Sequence, residues 1–120
     1  MKLRSKCTLR TVLVVILLSV SVQAKEKSID EYSNKESELV FYVLVFKEIC
    51  EIFIPDFQTS NYNEYVKWER KYRPLIDVIK KNKNYIAAIS RIYDEPNTIP
   101  RGEELATYCK NVAQEYRINN

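Results

Sequence analysis

The sequence predicts an all-α fold, a small four- to five-helix bundle stapled by one disulfide. Three observations predict it. Apolar residues recur at spacings of three and four in successive segments, the signature of amphipathic helices. Glycine occurs once and proline four times in 120 residues, so breaks are few and sharply placed. Cys50 and Cys109 both fall on apolar stripes, in segments far apart along the chain.

The N-terminal residues read as a leader. Lys2, Arg4, Lys6 and Arg10 make a basic start without an acid, Val12–Val20 is nearly all aliphatic, and Val22-Gln23-Ala24 supplies small residues at a cleavage site. That order matches a secretory signal, and the apolar run falls short of the roughly 20 residues that span a bilayer. The expected organisation is a signal peptide over residues 1–24 and a single secreted helical domain over residues 25–120. Export implies an oxidising compartment, either extracellular or periplasmic, and an even pair of cysteines there reads as one bond, Cys50–Cys109.

The expected helices follow in order. Residues 25–35 are polar and read as a loose arm. Ser33 and Glu36 form a capping-box pattern that opens the first helix. Leu39, Tyr42, Val43, Phe46, Ile49, Cys50 and Phe53 form its stripe, and Pro55 ends it. Phe41, Leu44 and Val45 point away from that stripe, so this helix is apolar around most of its girth. Such a helix is central in its bundle or covered by another chain, which makes Phe41 and Leu44 candidate partner contacts and admits self-association through this helix.

After a loop at residues 58–60, Asn61 and Glu64 read as a second capping pair. Tyr65, Trp68, Tyr72, Leu75, Ile76 and Ile79 share one face of the next helix, with Pro74 expected to kink or break it. A short helix from Tyr85 is expected to bury Ile86, Ile89, Ile92 and Tyr93. Pro100 is expected at the first position of the last helix, whose stripe is Leu105, Cys109, Val112 and Tyr116.

Composition bounds the chemistry. Residues 25–120 carry 15 Lys and Arg against 16 Asp and Glu, which excludes the surplus cation that nucleic-acid binding needs. With no histidine and one glycine, imidazole catalysis and Gly-rich phosphate loops are excluded. Neither a CxxC pair nor a histidine is present to complete a metal site, so no metal and no cofactor are expected. Glu103 and Glu104 suit the first turn of a helix, no motif isolates a catalytic acid–base pair, and the chain reads as a non-enzyme.

Charge is unevenly spread. Residues 61–100 hold eight bases and five acids, and Arg70, Lys71 and Arg73 cluster beside Trp68. A solvated helix face is one reading; a surface that steers an acidic receptor is the other. A membrane surface is the less expected partner. Trp68, Arg70, Lys71 and Arg73 are therefore candidate partner contacts for an unidentified protein receptor.

The leader, the mature segment of about 95 residues, the helical register and the pairing of Cys50 with Cys109 resemble the accessory-gland secretory peptides of Drosophila seminal fluid. That resemblance implies a male-secreted protein transferred at mating, influencing female post-mating physiology or sperm handling, and it carries over no functional residue. Small periplasmic helical proteins of bacteria, chaperones of acid stress and immunity proteins against secreted toxins, share the same layout and form the alternative reading.

Overall fold

The computed structural model describes residues 28–118. The leader reading and the start of the polar arm fall on residues 1–27, outside the described residues. Five α-helices follow one another: α1 Asn34–Phe53, α2 Phe57–Ser60, α3 Tyr62–Lys80, α4 Lys83–Asp94 and α5 Gly102–Ile118. Short 3-10 turns at Ile29–Glu31 and Pro96–Thr98 complete the described chain, which contains no strand. The fold is a small all-α bundle with one disulfide.

Helix α1 is the axis of the bundle, because its apolar run leaves it no face that water would solvate well. All four other helices contact it. Its start is fixed by the predicted capping box: Ser33 Oγ accepts from the Glu36 amide at 3.1 Å, and the Ser33 amide donates to Glu36 Oε1 at 3.2 Å. Its buried residues are Val40, Val43, Leu44, Ile49 and Cys50. The expected stripe is therefore turned by about one residue, since Leu39 is 40 % exposed while Leu44 is enclosed. Leu44 consequently offers no surface to a partner. Phe41 is half-buried, with its ring edge-on to Tyr85 of α4 at 6.0 Å between centroids. Part of the apolar side of α1 is thus packed against α4, while Leu39 and Ile52 stay 40 % and 42 % exposed.

The cross-link ties this axis to the last helix. Cys50 and Cys109 are bonded with their Cα atoms 5.8 Å apart, and their residues are 0 % and 3 % exposed. Phe46 stacks on Tyr108 at 4.5 Å beside the bond, and the Arg101 guanidinium sits 4.8 Å from the centre of the Phe53 ring. Leu105, Cys109, Val112 and Tyr116 are all buried, as their spacing predicts. The helix starts at Gly102 rather than Pro100, because the backbone there takes φ +63. A Cβ at Gly102 would meet nothing within 4 Å, so it is the left-handed backbone, and not space, that calls for glycine.

Helix α3 runs unbroken through Pro74. Proline removes the amide that the Arg70 carbonyl would accept from, and Leu75, Ile76 and Ile79 hold the helix on course by burial. The described part of the polar arm is also fastened. Tyr32 is buried, its hydroxyl donates to the Lys71 carbonyl at 3.1 Å, and its ring lies 6.0 Å from that of Tyr72. Helix α4 packs peripherally, with Ile92 its one buried residue. Ile86 and Tyr93, expected in the core, are 52 % and 59 % exposed.

Two expectations follow for stability. Reducing the disulfide, or replacing both cysteines by alanine, lowers the unfolding free energy by about 4 kcal/mol from the chain-entropy term of so long a loop; an unchanged urea midpoint would contradict this. Trp68→Ala costs about 3–5 kcal/mol in the same assay, because Trp68 is fully enclosed.

Candidate functional site

The predicted partner residues of α3 separate onto two faces. Trp68 is 0 % exposed and belongs to the core, where its ring lies 5.4 Å from that of Tyr72 and 5.6 Å from that of Tyr116. It is withdrawn from the surface set because an aromatic at helical spacing shares the face that α3 buries against α1 and α5. Arg70, Lys71 and Arg73 are exposed. Lys67 and Lys80 are exposed along the same helix, and Lys81 is exposed at its C-cap. Among the described residues, Lys67, Arg70, Arg73, Lys80 and Lys81 make no ion pair. Lys71 is differently placed, with its ammonium 5.4 Å from the Tyr72 ring centre. The outer side of α3 is thus a mainly cationic surface, relieved by Asp77, on a helix whose inner side is locked in the core.

A second cluster lies where α1, α3 and α5 meet. Lys47 and Glu51, one turn apart on α1, form an ion pair at 3.0 Å. The Lys47 ammonium also sits 4.7 Å from the centre of the Tyr65 ring. Tyr65 donates its hydroxyl to Glu69 Oε2 at 2.5 Å. Asn61 is the one buried polar residue of the described chain. Its Nδ2 donates to the Phe57 carbonyl at 2.9 Å, and its Oδ1 accepts from Arg117 at 3.4 Å. It does not cap α3 with its side chain, contrary to the Asn61–Glu64 reading, because its polar atoms are taken by α2 and α5.

Tyr116 closes the cluster. It is 1 % exposed, and its hydroxyl has no hydrogen-bond partner among the described residues, a property shared with the Trp68 indole N–H. Burial pushes the Tyr116 hydroxyl well above the ordinary tyrosine range, and the nearby Tyr65 and Glu51 push it the same way. Tyr65 is raised as well, first by burial and then by its bond to Glu69. Sequence periodicity placed Tyr65 and Tyr116 on core stripes, but nothing in their spacing marked Lys47, Glu51 and Asn61 as their neighbours.

Two other features lie along α1. Leu39, Tyr42, Asn111, Gln114, Glu115 and Ile118 border a groove of about 350 Å³ between α1 and α5. Partial burial raises the Glu115 carboxyl, with Lys71 acting against it. Tyr93 donates to Glu48 Oε1 at 2.5 Å and so clips α4 to α1. Among the described residues no group of three His, Cys, Asp or Glu side chains could hold a metal ion, and no helix is long and apolar enough to cross a membrane.

The raised tyrosines give a pH expectation. The unfolded chain releases a tyrosine proton near the ordinary value of 10.0, whereas folded Tyr65 and Tyr116 hold theirs to higher pH. Their contribution is therefore full below pH 10 and lost as pH rises above it. Alkaline titration at 295 nm should show these two ionising only together with loss of far-ultraviolet helicity; ionisation of all tyrosines in the still-folded protein would contradict the assignment.

Compared with protein-family models, with curated proteins and with solved structures, the chain matches none.

Proposed function

We propose that the protein is a secreted, non-enzymatic extracellular recognition protein of the seminal-fluid accessory-gland type, which binds an acidic protein receptor through the outer face of α3. One observation carries the reading: Lys67, Arg70, Arg73 and Lys80 of α3, with Lys81 at its C-cap, are exposed without ion pairs among the described residues. Lys80 and Lys81 are favoured by the helix C-terminus, but Lys67, Arg70 and Arg73 repel one another along the middle of the helix. They do attract an acidic partner from beyond contact distance and speed its association.

The core supports this use of the surface. Trp68, Tyr72, Leu75, Ile76 and Ile79 fix the inner side of α3, so little side-chain packing has to be reorganised when the outer side is covered. A partner then loses less entropy in docking than it would on a loose helix. The reading of the chain as a periplasmic chaperone or immunity protein would use the apolar residues of α1, of which Phe41 is engaged by Tyr85 of α4 and Leu44 is buried.

The test uses labelled secreted protein on reproductive-tract tissue of mated females, with transcript mapping of the source gland alongside. Charge reversal at Arg70 and Arg73 together should weaken binding by about tenfold or more, and salt should weaken the parent in the same way. Equal binding to vesicles rich in phosphatidylserine would make a membrane the target instead. Binding unchanged by the reversal, or expression outside any secretory gland, would sink the proposal. Dye-binding apolar surface appearing between pH 7 and pH 3 would favour the chaperone.

A further inference from the structure

The chain holds two pairs of adjacent basic residues, Arg70-Lys71 and Lys80-Lys81, and the fold places them very differently. Arg70 and Lys71 lie in the middle of α3 between Trp68 and Tyr72, which are 0 % and 4 % exposed. The Lys71 carbonyl also accepts from the Tyr32 hydroxyl at 3.1 Å. Lys80 is the last residue of α3, and Lys81 is its C-cap, in the short turn that leads to α4. Lys80, Lys81, Asn82, Lys83 and Asn84 are all exposed. Among the described residues, Lys80, Lys81 and Lys83 make no ion pair, so their charges are open to an acidic pocket.

A protease that cuts after paired basic residues takes them as an extended strand, with the side chains in acid-lined pockets. Helical backbone must therefore open before it is cut, and the cost of opening decides which pair is used. At the turn between α3 and α4 that cost is small. The Lys81 amide donates to the Val78 carbonyl at 3.2 Å, the Asn82 amide to the Ile79 carbonyl at 2.9 Å, and the Asn84 amide to Asn82 Oδ1 at 2.8 Å. These are local bonds at the surface, which water replaces on opening. From Lys80 to Arg91 no residue is fully buried, Tyr85, Ala88 and Ile89 being half-buried. Opening residues 80–84 thus withdraws nothing from the core, whereas opening the chain around Arg70 draws out Trp68 and Tyr72. Exposed polar turns of this kind are where folded chains are nicked. Arg101 also lies outside the helices, but Pro100 precedes it and its guanidinium rests on the Phe53 ring.

We propose that the Lys80-Lys81 turn is a processing site, at which a protease specific for paired basic residues hydrolyses the bond between Lys81 and Asn82. Water supplies the hydroxyl that completes the Lys81 carboxyl group and the proton that completes the Asn82 amine, with no change of oxidation state. Cys50 precedes the cut, Cys109 follows it, and the two are bonded. The product is therefore a two-chain protein, with α1, α2 and α3 on one chain and α4 and α5 on the other, joined by the disulfide. The site does not depend on the receptor proposed above.

The oxidised full chain, treated with a purified subtilisin-like endoprotease of paired-basic specificity, is the material for the test. It should gain the mass of one water, remain one species without reductant and keep its far-ultraviolet helicity. Reduction should release two fragments, the second beginning at Asn82. Lys81→Gln should abolish the cut, whereas Arg70→Gln should leave its rate unchanged. Protein recovered from its source should show the same Asn82 start. A first cut at Arg70-Lys71 or at Arg101, an oxidised chain that stays whole while the reduced, unfolded chain is cut at Lys81, loss of helicity on cutting, or source material with the Lys81–Asn82 bond intact overturns the proposal.

Discussion

Cys50 and Cys109 stand 59 residues apart in the chain and bonded in space, and the rest of the structure is arranged around that tie. It joins the helix that every other helix contacts to the helix that comes last. Everything between them, α2, α3 and α4, therefore lies inside one covalent loop. Closing such a loop removes a large part of the unfolded chain's freedom, which matters most where the apolar core is small. The bond also has a positional effect. Because both cysteines are enclosed, α1 and α5 approach closely there, and the Phe46–Tyr108 stack and the Arg101–Phe53 contact extend the seam on either side of it.

Against the other side of this pair lies an aromatic layer. Tyr65, Trp68 and Tyr72 from α3 meet Tyr116 from α5, with ring centroids 5.4 to 5.6 Å apart for the close Tyr65–Tyr116, Trp68–Tyr72 and Trp68–Tyr116 pairs. Large rings fill much volume per residue, which suits a domain with few core positions, and edge and tilted contacts add to their burial. The consequence is that polar tips are carried inward with the rings. Tyr32 and Tyr65 find partners in the Lys71 carbonyl and Glu69, while the Trp68 N–H and Tyr116 hydroxyl find none among the described residues.

How far the fold could be read in advance depended on how one-sided each helix is. In α5 and α3 the polar and apolar residues segregate cleanly, so Leu105, Cys109, Val112 and Tyr116, and likewise Trp68, Tyr72, Leu75, Ile76 and Ile79, were legible from spacing alone. In α1 every position from Leu39 to Phe46 is apolar, so periodicity had nothing with which to choose a face. Neighbours made that choice, burying Leu44 and leaving Leu39 partly in water. Ile86 and Tyr93 were misplaced for a related reason, since a peripheral helix can satisfy itself with Ile92 and a few half-buried contacts. Asn61 fits a capping pattern locally, yet contacts with Phe57 and with Arg117, distant in sequence, decide its role. No local pattern carries that information.

The division of α3 into two faces links stability to recognition. On its inner face, substitution is limited by volume, because Trp68 and its neighbours are closed in by α1 and α5. On its outer face, Lys67, Arg70 and Arg73 touch little, so their identity is nearly free of folding constraints, and replacing them should shift stability by no more than about 0.5 kcal/mol. Four exposed cations on α3 and a fifth at its C-cap, with Asp77 among them, are thus set by something other than packing. A surface so free to change can be altered without disturbing the core, which the disulfide helps to hold. Stability held by the inner face and the cross-link, with an outward face that carries charge and little packing, is the separation of tasks on which the proposed recognition role rests.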